Sequence, residues 1–185
     1  MLCARDIVGD EPFAVLLPDV IVKGKGGSCL KQMVDAYNEV GGNIIAVDEV
    51  PQERVNQYGV IDPVTAGDEG PLVKMKGMVE KPDAADAPSN LAVIGRYILT
   101  PRVLTNLNRM KQGAGGEIQL TDAIAEEADG QSGVFGLRFR GQRYDCGSKI
   151  GFLQATVAFG LSRPDLCGEF ESFLHELMAM QKAAQ

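Results

Sequence analysis

Histidine occurs once in this sequence, at position 175, and the four cysteines (Cys3, Cys29, Cys146, Cys167) form no C-x-x-C pair. A Cys/His metal site is therefore excluded, because such sites need three or four ligands at short, recurring spacing. Scattered cysteines of this kind read as reduced thiols of a cytosolic protein. No apolar run approaches the roughly 18 residues that a membrane-spanning helix requires, so no membrane partner is expected. The first residues, Met1 to Asp6, lack the basic-then-apolar order of a secretory signal. A cytoplasmic protein is the expectation. Basic charge is also scarce: 18 Lys and Arg stand against 25 Asp and Glu, a formal net charge of −7. Nucleic acid is a poor partner for such a chain, since phosphate contacts need a basic face. A phosphorylated ligand would need positive charge placed locally, by a few Lys/Arg or by a metal ion.

What is present is ordinary globular material. Of the 185 residues 45% are hydrophobic and 23% charged, which excludes disordered and low-complexity classes. The expectation is one domain over 1–185, with 149–185 as a helical C-terminal segment. By length alone such a chain buries roughly 70% of its unfolded surface.

Phe13-Ala14-Val15-Leu16-Leu17 is a continuous apolar run, which suits a strand buried on both faces. Beyond a glycine-rich turn, Ser28 can cap a helix with Leu30, Met33, Val34 and Tyr37 on one face, and Gly41-Gly42 ends it. Asn43 to Val50 reads as a further buried strand. This β-α-β order predicts an α/β fold with a mostly parallel sheet. Strands are also predicted over 58–62, 72–79, 91–99 and, as a half-exposed strand, 134–140. Residues 81–90 read as a loop. Helices are predicted from Pro101 to about Met110 and over 119–128. Near the end, Phe170, Phe173, Leu174, Leu177 and Met178 form an amphipathic stripe, with His175 off it on the solvated side.

Ligands of open α/β sheets bind beyond the carboxyl ends of strands. Asp19, Glu80-Lys81 and Asp145 fall at such ends. If the strands are neighbours, these carboxylates and one ammonium converge on one crevice. Paired aspartates without His or Cys suit a hard, oxygen-liking cation such as Mg²⁺, with Lys81 as a point charge facing phosphate. Each feature also has a structural reading: Asp19 as a turn former, Glu80-Lys81 as a solvated pair, and Asp145-Cys146-Gly147-Ser148 as a helix cap.

Taken in order, Leu16-Leu17-Pro18-Asp19, Tyr58-Gly59-Val60, Val79-Glu80-Lys81-Pro82, Pro88-Ser89-Asn90-Leu91-Ala92, Gly95-Arg96-Tyr97, Gly116 to Ile124 and Asp145-Cys146-Gly147-Ser148-Lys149 resemble the bacterial UTP–glucose-1-phosphate uridylyltransferase family. The resemblance runs from about Val8 to the last helix. It implies a Rossmann-like nucleotidyltransferase fold, a three-layer α/β/α arrangement with a mostly parallel mixed sheet. It also implies an enzyme that joins UTP and glucose 1-phosphate into UDP-glucose with Mg²⁺, and a homo-oligomer. By the same resemblance Asp19 and Asp145 are metal ligands. Glu80 holds sugar hydroxyls and Lys81 a phosphate, while Gly59, Val93, Gly95 and Glu117 line the sugar. Family members begin with a strand and a G-x-G-T-R loop that cradles the triphosphate, and no such stretch occurs in this sequence. A chain missing the first β-α units of the fold is therefore expected, with an exposed sheet edge where they would pair. The rival readings are a catalytically incompetent remnant that keeps sugar-phosphate binding and oligomerisation surfaces, and a thymidylyl- or guanylyltransferase.

Overall fold

Apolar runs punctuated by Pro, Gly and Asp give short strands and helices. A computed structural model describes residues 1–109, 119–130 and 133–183. In chain order the elements are α1 (Arg5–Val8), β1 (Phe13–Leu16), β2 (Val20–Gly24), α2 (Cys29–Val40), β3 (Asn43–Glu49), β4 (Gly59–Pro63), β5 (Leu72–Glu80) and β6 (Leu91–Leu99). They continue with α3 (Pro101–Arg109), α4 (Leu120–Ala125), β7 (Val134–Arg138), β8 (Gly141–Asp145), α5 (Lys149–Gly160) and α6 (Cys167–Ala183). The chain falls into two compact units. One comprises Met1–Leu17 and Lys23–Gln142, the other Pro18–Val22 and Arg143–Gln185.

The first unit is built on a six-stranded sheet in the order β1-β6-β3-β7-β5-β4, with a further single pairing of β4 to β6 at Val60 and Ala92. The sheet is mixed, but its parallel share is smaller than the β-α-β order predicted. β3 and β7 pair parallel, whereas β1–β6, β3–β6, β5–β7 and β4–β5 pair antiparallel. The reason lies in β6. It inserts between β1 and β3, which run in the same direction as a β-α-β unit requires but are not adjacent.

β3 is buried on both faces, as the continuous apolar run Ile44 to Val47 demands. Ile45 and Val47 join a core with Leu104 of α3 and Ile124 of α4. Ile44 and Ala46 point the other way by the twofold period of a strand, toward the face on which α2 packs. Helices thus cover both faces, giving three layers. α2 starts where expected, with Ser28 Oγ accepting from Lys31 N at 3.1 Å, and it ends at Gly41 in the left-handed conformation. Its buried stripe is Cys29, Met33 and Ala36, while Val34 is exposed. Small Cys and Ala let the helix lie close to the sheet, which turns the expected Leu30-Met33-Val34-Tyr37 face partly outward.

Two strands differ from expectation in burial. β1 alternates half-buried and exposed residues, with Leu16 half exposed, because it pairs through β6 on one side only. β7 is central and mostly buried, not half exposed. Gly136 makes this possible: a Cβ there would stand 2.7 Å from Ile61 Cδ1.

The second unit holds α5 and α6. Ser148 caps α5 by accepting from Gly151 N at 3.1 Å, and the Tyr144 and Phe159 rings meet edge to face at 6.1 Å. Phe170 lies on Gly160, where a Cβ would come 2.7 Å from its ring. The predicted stripe on α6 is largely exposed: Phe173, Leu177 and Met178 all face solvent. His175 is exposed, as expected. Among the described residues, no helix is long and apolar enough to cross a membrane, and Cys3, Cys29, Cys146 and Cys167 are all free thiols.

Candidate functional site

The predicted residues divide between the two units: Asp19 and Asp145 belong to the second, and Gly59, Glu80, Lys81, Val93 and Gly95 to the first. The strands preceding Asp19 and Glu80 are not neighbours, since β6, β3 and β7 lie between β1 and β5 in the sheet. The condition attached to the sequence reading, that the strands be neighbours, is therefore not met for β1 and β5.

Asp19 and Asp145 come together because β2 begins directly after the first and β8 ends on the second. Cys146 N donates to Asp19 O at 2.7 Å, which sets the two segments side by side. Gly147 reports on their carboxylates. A Cβ at that position would stand 3.1 Å from Asp145 Oδ1 and 3.9 Å from Asp19 Oδ2. Both oxygens thus flank one point, and Gly147 N donates to Asp145 Oδ1 at 3.1 Å. Among the described residues no group of three or more His, Cys, Asp or Glu is placed to hold a metal. A pair of hard carboxylate oxygens still fits Mg²⁺, which is bound through one or two carboxylates together with substrate phosphates.

In the first unit, antiparallel β4 and β5 pair Gly59 with Glu80. A Cβ on Gly59 would lie 2.9 Å from Glu80 Oε2, 3.6 Å from Thr121 Cγ2 and 3.9 Å from Val93 Cγ2. Four residues from four segments therefore line one cradle, which glycine leaves open. Thr121 was missed as an individual residue by the sequence reading, although it stands within a quoted motif. Its Oγ1 is the one buried side-chain polar atom among the described residues without a hydrogen-bond partner. An unsatisfied buried hydroxyl costs about 1–3 kcal/mol.

Lys81 follows immediately, with a positive φ of 48° and its backbone N donating to Tyr58 O at 3.0 Å. A non-glycine residue in this region is strained, and such strain clusters at functional sites. Gly95 has φ 72°, and a Cβ there would come 3.0 Å from the Leu17 side chain. Only glycine fits both demands. Leu17 N donates to Gly95 O at 2.9 Å, and Arg96 Nη1 donates to Leu17 O at 2.5 Å. The end of β1 is thereby tied to β6. Glu117 lies outside the described residues, as does the Gln112 to Gly116 stretch.

The first unit is thus an α/β sheet that carries a glycine-floored carboxylate cradle with a strained lysine beside it, and the second carries a turn with paired aspartates. Residues 1–160 match the family model described as Nucleotidyl transferase, and the chain belongs to that family. It is 53% identical over 148 residues to the UTP–glucose-1-phosphate uridylyltransferase of Komagataeibacter xylinus, a match covering 80% of this chain and 51% of that protein. With the enzyme of the same name from Bacillus subtilis it shares 45% identity over 176 residues, covering 95% of this chain and 59% of the relative. Among solved structures, UTP-bound UGPase from Acinetobacter baumannii superposes with a TM-score of 0.83 at 45% identity, covering 95% of this chain and 60% of that one. The chain thus spans between half and three fifths of the length of these relatives.

Proposed function

We propose that this chain carries the sugar-phosphate and metal-binding part of a nucleotidyl transfer that joins UTP and glucose 1-phosphate into UDP-glucose, releasing pyrophosphate. The observation behind this reading is the register of β4 on β5, which sets Gly59 against Glu80 and leaves a cradle beside a carboxylate.

In this reading the Glu80 carboxylate accepts hydrogen bonds from two sugar hydroxyls, which distinguishes epimers because a misplaced hydroxyl leaves a charged acceptor unpaired. Gly59 admits the sugar ring close to the backbone, Val93 and Gly95 line it, and Glu117 contributes to sugar binding. The Lys81 ammonium neutralises the sugar phosphate. A phosphate oxygen then attacks the α-phosphorus in line and pyrophosphate departs, so no protein nucleophile is needed. Asp19 and Asp145 would hold Mg²⁺. When bound, the ion withdraws charge from the reacting phosphates. The same reading places the protein in the cytoplasm and assigns the exposed apolar stripe of α6 to contact between copies of the chain. The single-domain organisation over 1–185, with 149–185 as its helical end, belongs to this proposal too.

The test is direct. Purified chain is titrated with glucose 1-phosphate by calorimetry, and pyrophosphate release is followed with UTP and Mg²⁺ added. Binding that is lost in both Glu80→Ala and Lys81→Ala supports the assignment. A wild-type chain that takes up no glucose 1-phosphate overturns it.

A further inference from the structure

β2 and β8 form a two-stranded ribbon of their own. At one end stand Asp19 and Asp145. At the other the strands meet a side chain with no assigned role, Gln32 of α2. Gln32 Oε1 accepts from Arg140 N at 2.7 Å, and Gln32 Nε2 donates to Arg140 O at 2.9 Å. One side-chain amide therefore satisfies both backbone groups of Arg140, as a neighbouring strand would. Nε2 also reaches Gly27 O at 3.4 Å, and Lys25 N donates to Arg140 O at 2.8 Å.

These bonds set Lys25 opposite Arg140. Six residues back along one strand and six forward along the other, the same antiparallel register sets Asp19 opposite Cys146, where Cys146 N donates to Asp19 O. The ribbon itself is short and at most half buried. Each strand has five residues, one of them glycine, and none is fully buried. Glycine-bearing ribbons without a buried face are prone to slip, and a slip of one residue turns every side chain to the opposite face. Such a slip would send the Asp145 carboxylate away from Asp19. At the base, Gly141 supplies closeness and no grip, since a Cβ there would stand 2.4 Å from Lys23 O.

We propose that Gln32 is a positioning residue that locks the register of this ribbon and so keeps the Asp19 and Asp145 carboxylates on one point. The consequence for metal binding rests on the reading that these two aspartates hold a divalent cation, whereas the lock itself does not.

Amide hydrogen exchange on the metal-free chain tests the lock. In Gln32→Leu the Cys146 amide should exchange at least tenfold faster, while the amides of β6 change by less than twofold. Unchanged Cys146 exchange overturns the lock. Should Gln32→Leu also lose protection in β6, Gln32→Glu decides, because it keeps an acceptor for Arg140 N and loses the donor to Arg140 O. Faster exchange confined to Cys146 in that variant supports the lock, and none overturns it. A separate titration with Mn²⁺ alone, followed by electron paramagnetic resonance, should show at least fivefold weaker binding in Gln32→Leu. Equal binding overturns the link from Gln32 to the acidic pair. A wild-type chain that takes up no Mn²⁺ overturns the cation reading instead, and the exchange result stands apart from it.

Discussion

Glu80 Oε2 lies 2.9 Å from the point where a Cβ on Gly59 would stand, in a directly paired position of two antiparallel strands. The backbone at Gly59 is not left-handed, so alanine is conformationally acceptable there. The added methyl meets the free end of a flexible side chain, and the carboxylate gives way. Gly59→Ala should therefore change the melting temperature by only a few degrees. Glucose 1-phosphate affinity should fall about tenfold or more, the loss expected when a hydrogen bond to a charged group is misplaced. Calorimetry on both proteins checks this, and equal affinities would remove Gly59 from the site.

A second carboxylate has a purely structural role. Glu127 is buried, accepting from Asn106 Nδ2 at 2.7 Å through one oxygen and from Arg102 Nε at 3.0 Å through the other. Asn106 is itself buried, and in the absence of Glu127 its Nδ2 would turn to Ala123 O, at 3.2 Å, alone. Glu127→Ala should lower the unfolding free energy by about 2–4 kcal/mol. Glu127→Gln, which keeps an acceptor for Asn106, should cost less, on the order of 1 kcal/mol. Urea unfolding should show a lower midpoint at an unchanged slope. An unaltered midpoint in Glu127→Ala would refute the assignment.

The element plan was legible in sequence where local signals were strong. The Ser28 cap and the Gly41 stop bound α2 as expected, and the run from Leu91 to Leu99 is β6. Pairing was not legible, because strand direction is set by which neighbour each strand finds across the sheet. The insertion of β6 between β1 and β3 leaves no local mark. β2 escaped notice, and of β8 only the end at Asp145 was read, for the same reason: Val20–Gly24 and Gly141–Asp145 are short, half exposed and glycine-bearing, and each makes sense only beside the other. Within the site, the proximity of Asp19 and Asp145 and the facing of Gly59 and Glu80 are consequences of register. Motif order pointed to these residues by resemblance. It could not show that Thr121 joins the cradle or that Gln32 holds the ribbon, since neither side chain has a distinctive local pattern.

Cys29 should be the least reactive of the four thiols. Burial pushes its thiol pKa up, and the opposing pull of the Arg96 guanidinium is the smaller effect. A raised value leaves less thiolate at any pH below it, and the thiolate is the attacking species. Cys3, by contrast, is exposed. With iodoacetamide at pH 8, peptide mapping should show Cys29 alkylated at least tenfold more slowly than Cys3, the difference vanishing in denaturant. Equal rates in the folded protein would mean that Cys29 is not buried at the start of α2.

Lys81 combines a strained backbone with a charge, and the two can be separated by substitution. Its φ of 48° is a conformation that costs a residue with a Cβ about 1–2 kcal/mol and glycine almost nothing. Lys81→Gly should therefore be more stable than Lys81→Ala by about 1 kcal/mol, read from thermal unfolding. The ammonium is lost from both, so both should bind glucose 1-phosphate at least tenfold more weakly than the parent chain, and equally so. Lys81→Arg, which keeps the charge on a longer and differently shaped head, should recover part of the affinity. Equal stability of the glycine and alanine variants would show that the left-handed turn is absent in solution. Full affinity in both would show that the strain at this position serves something other than a phosphate.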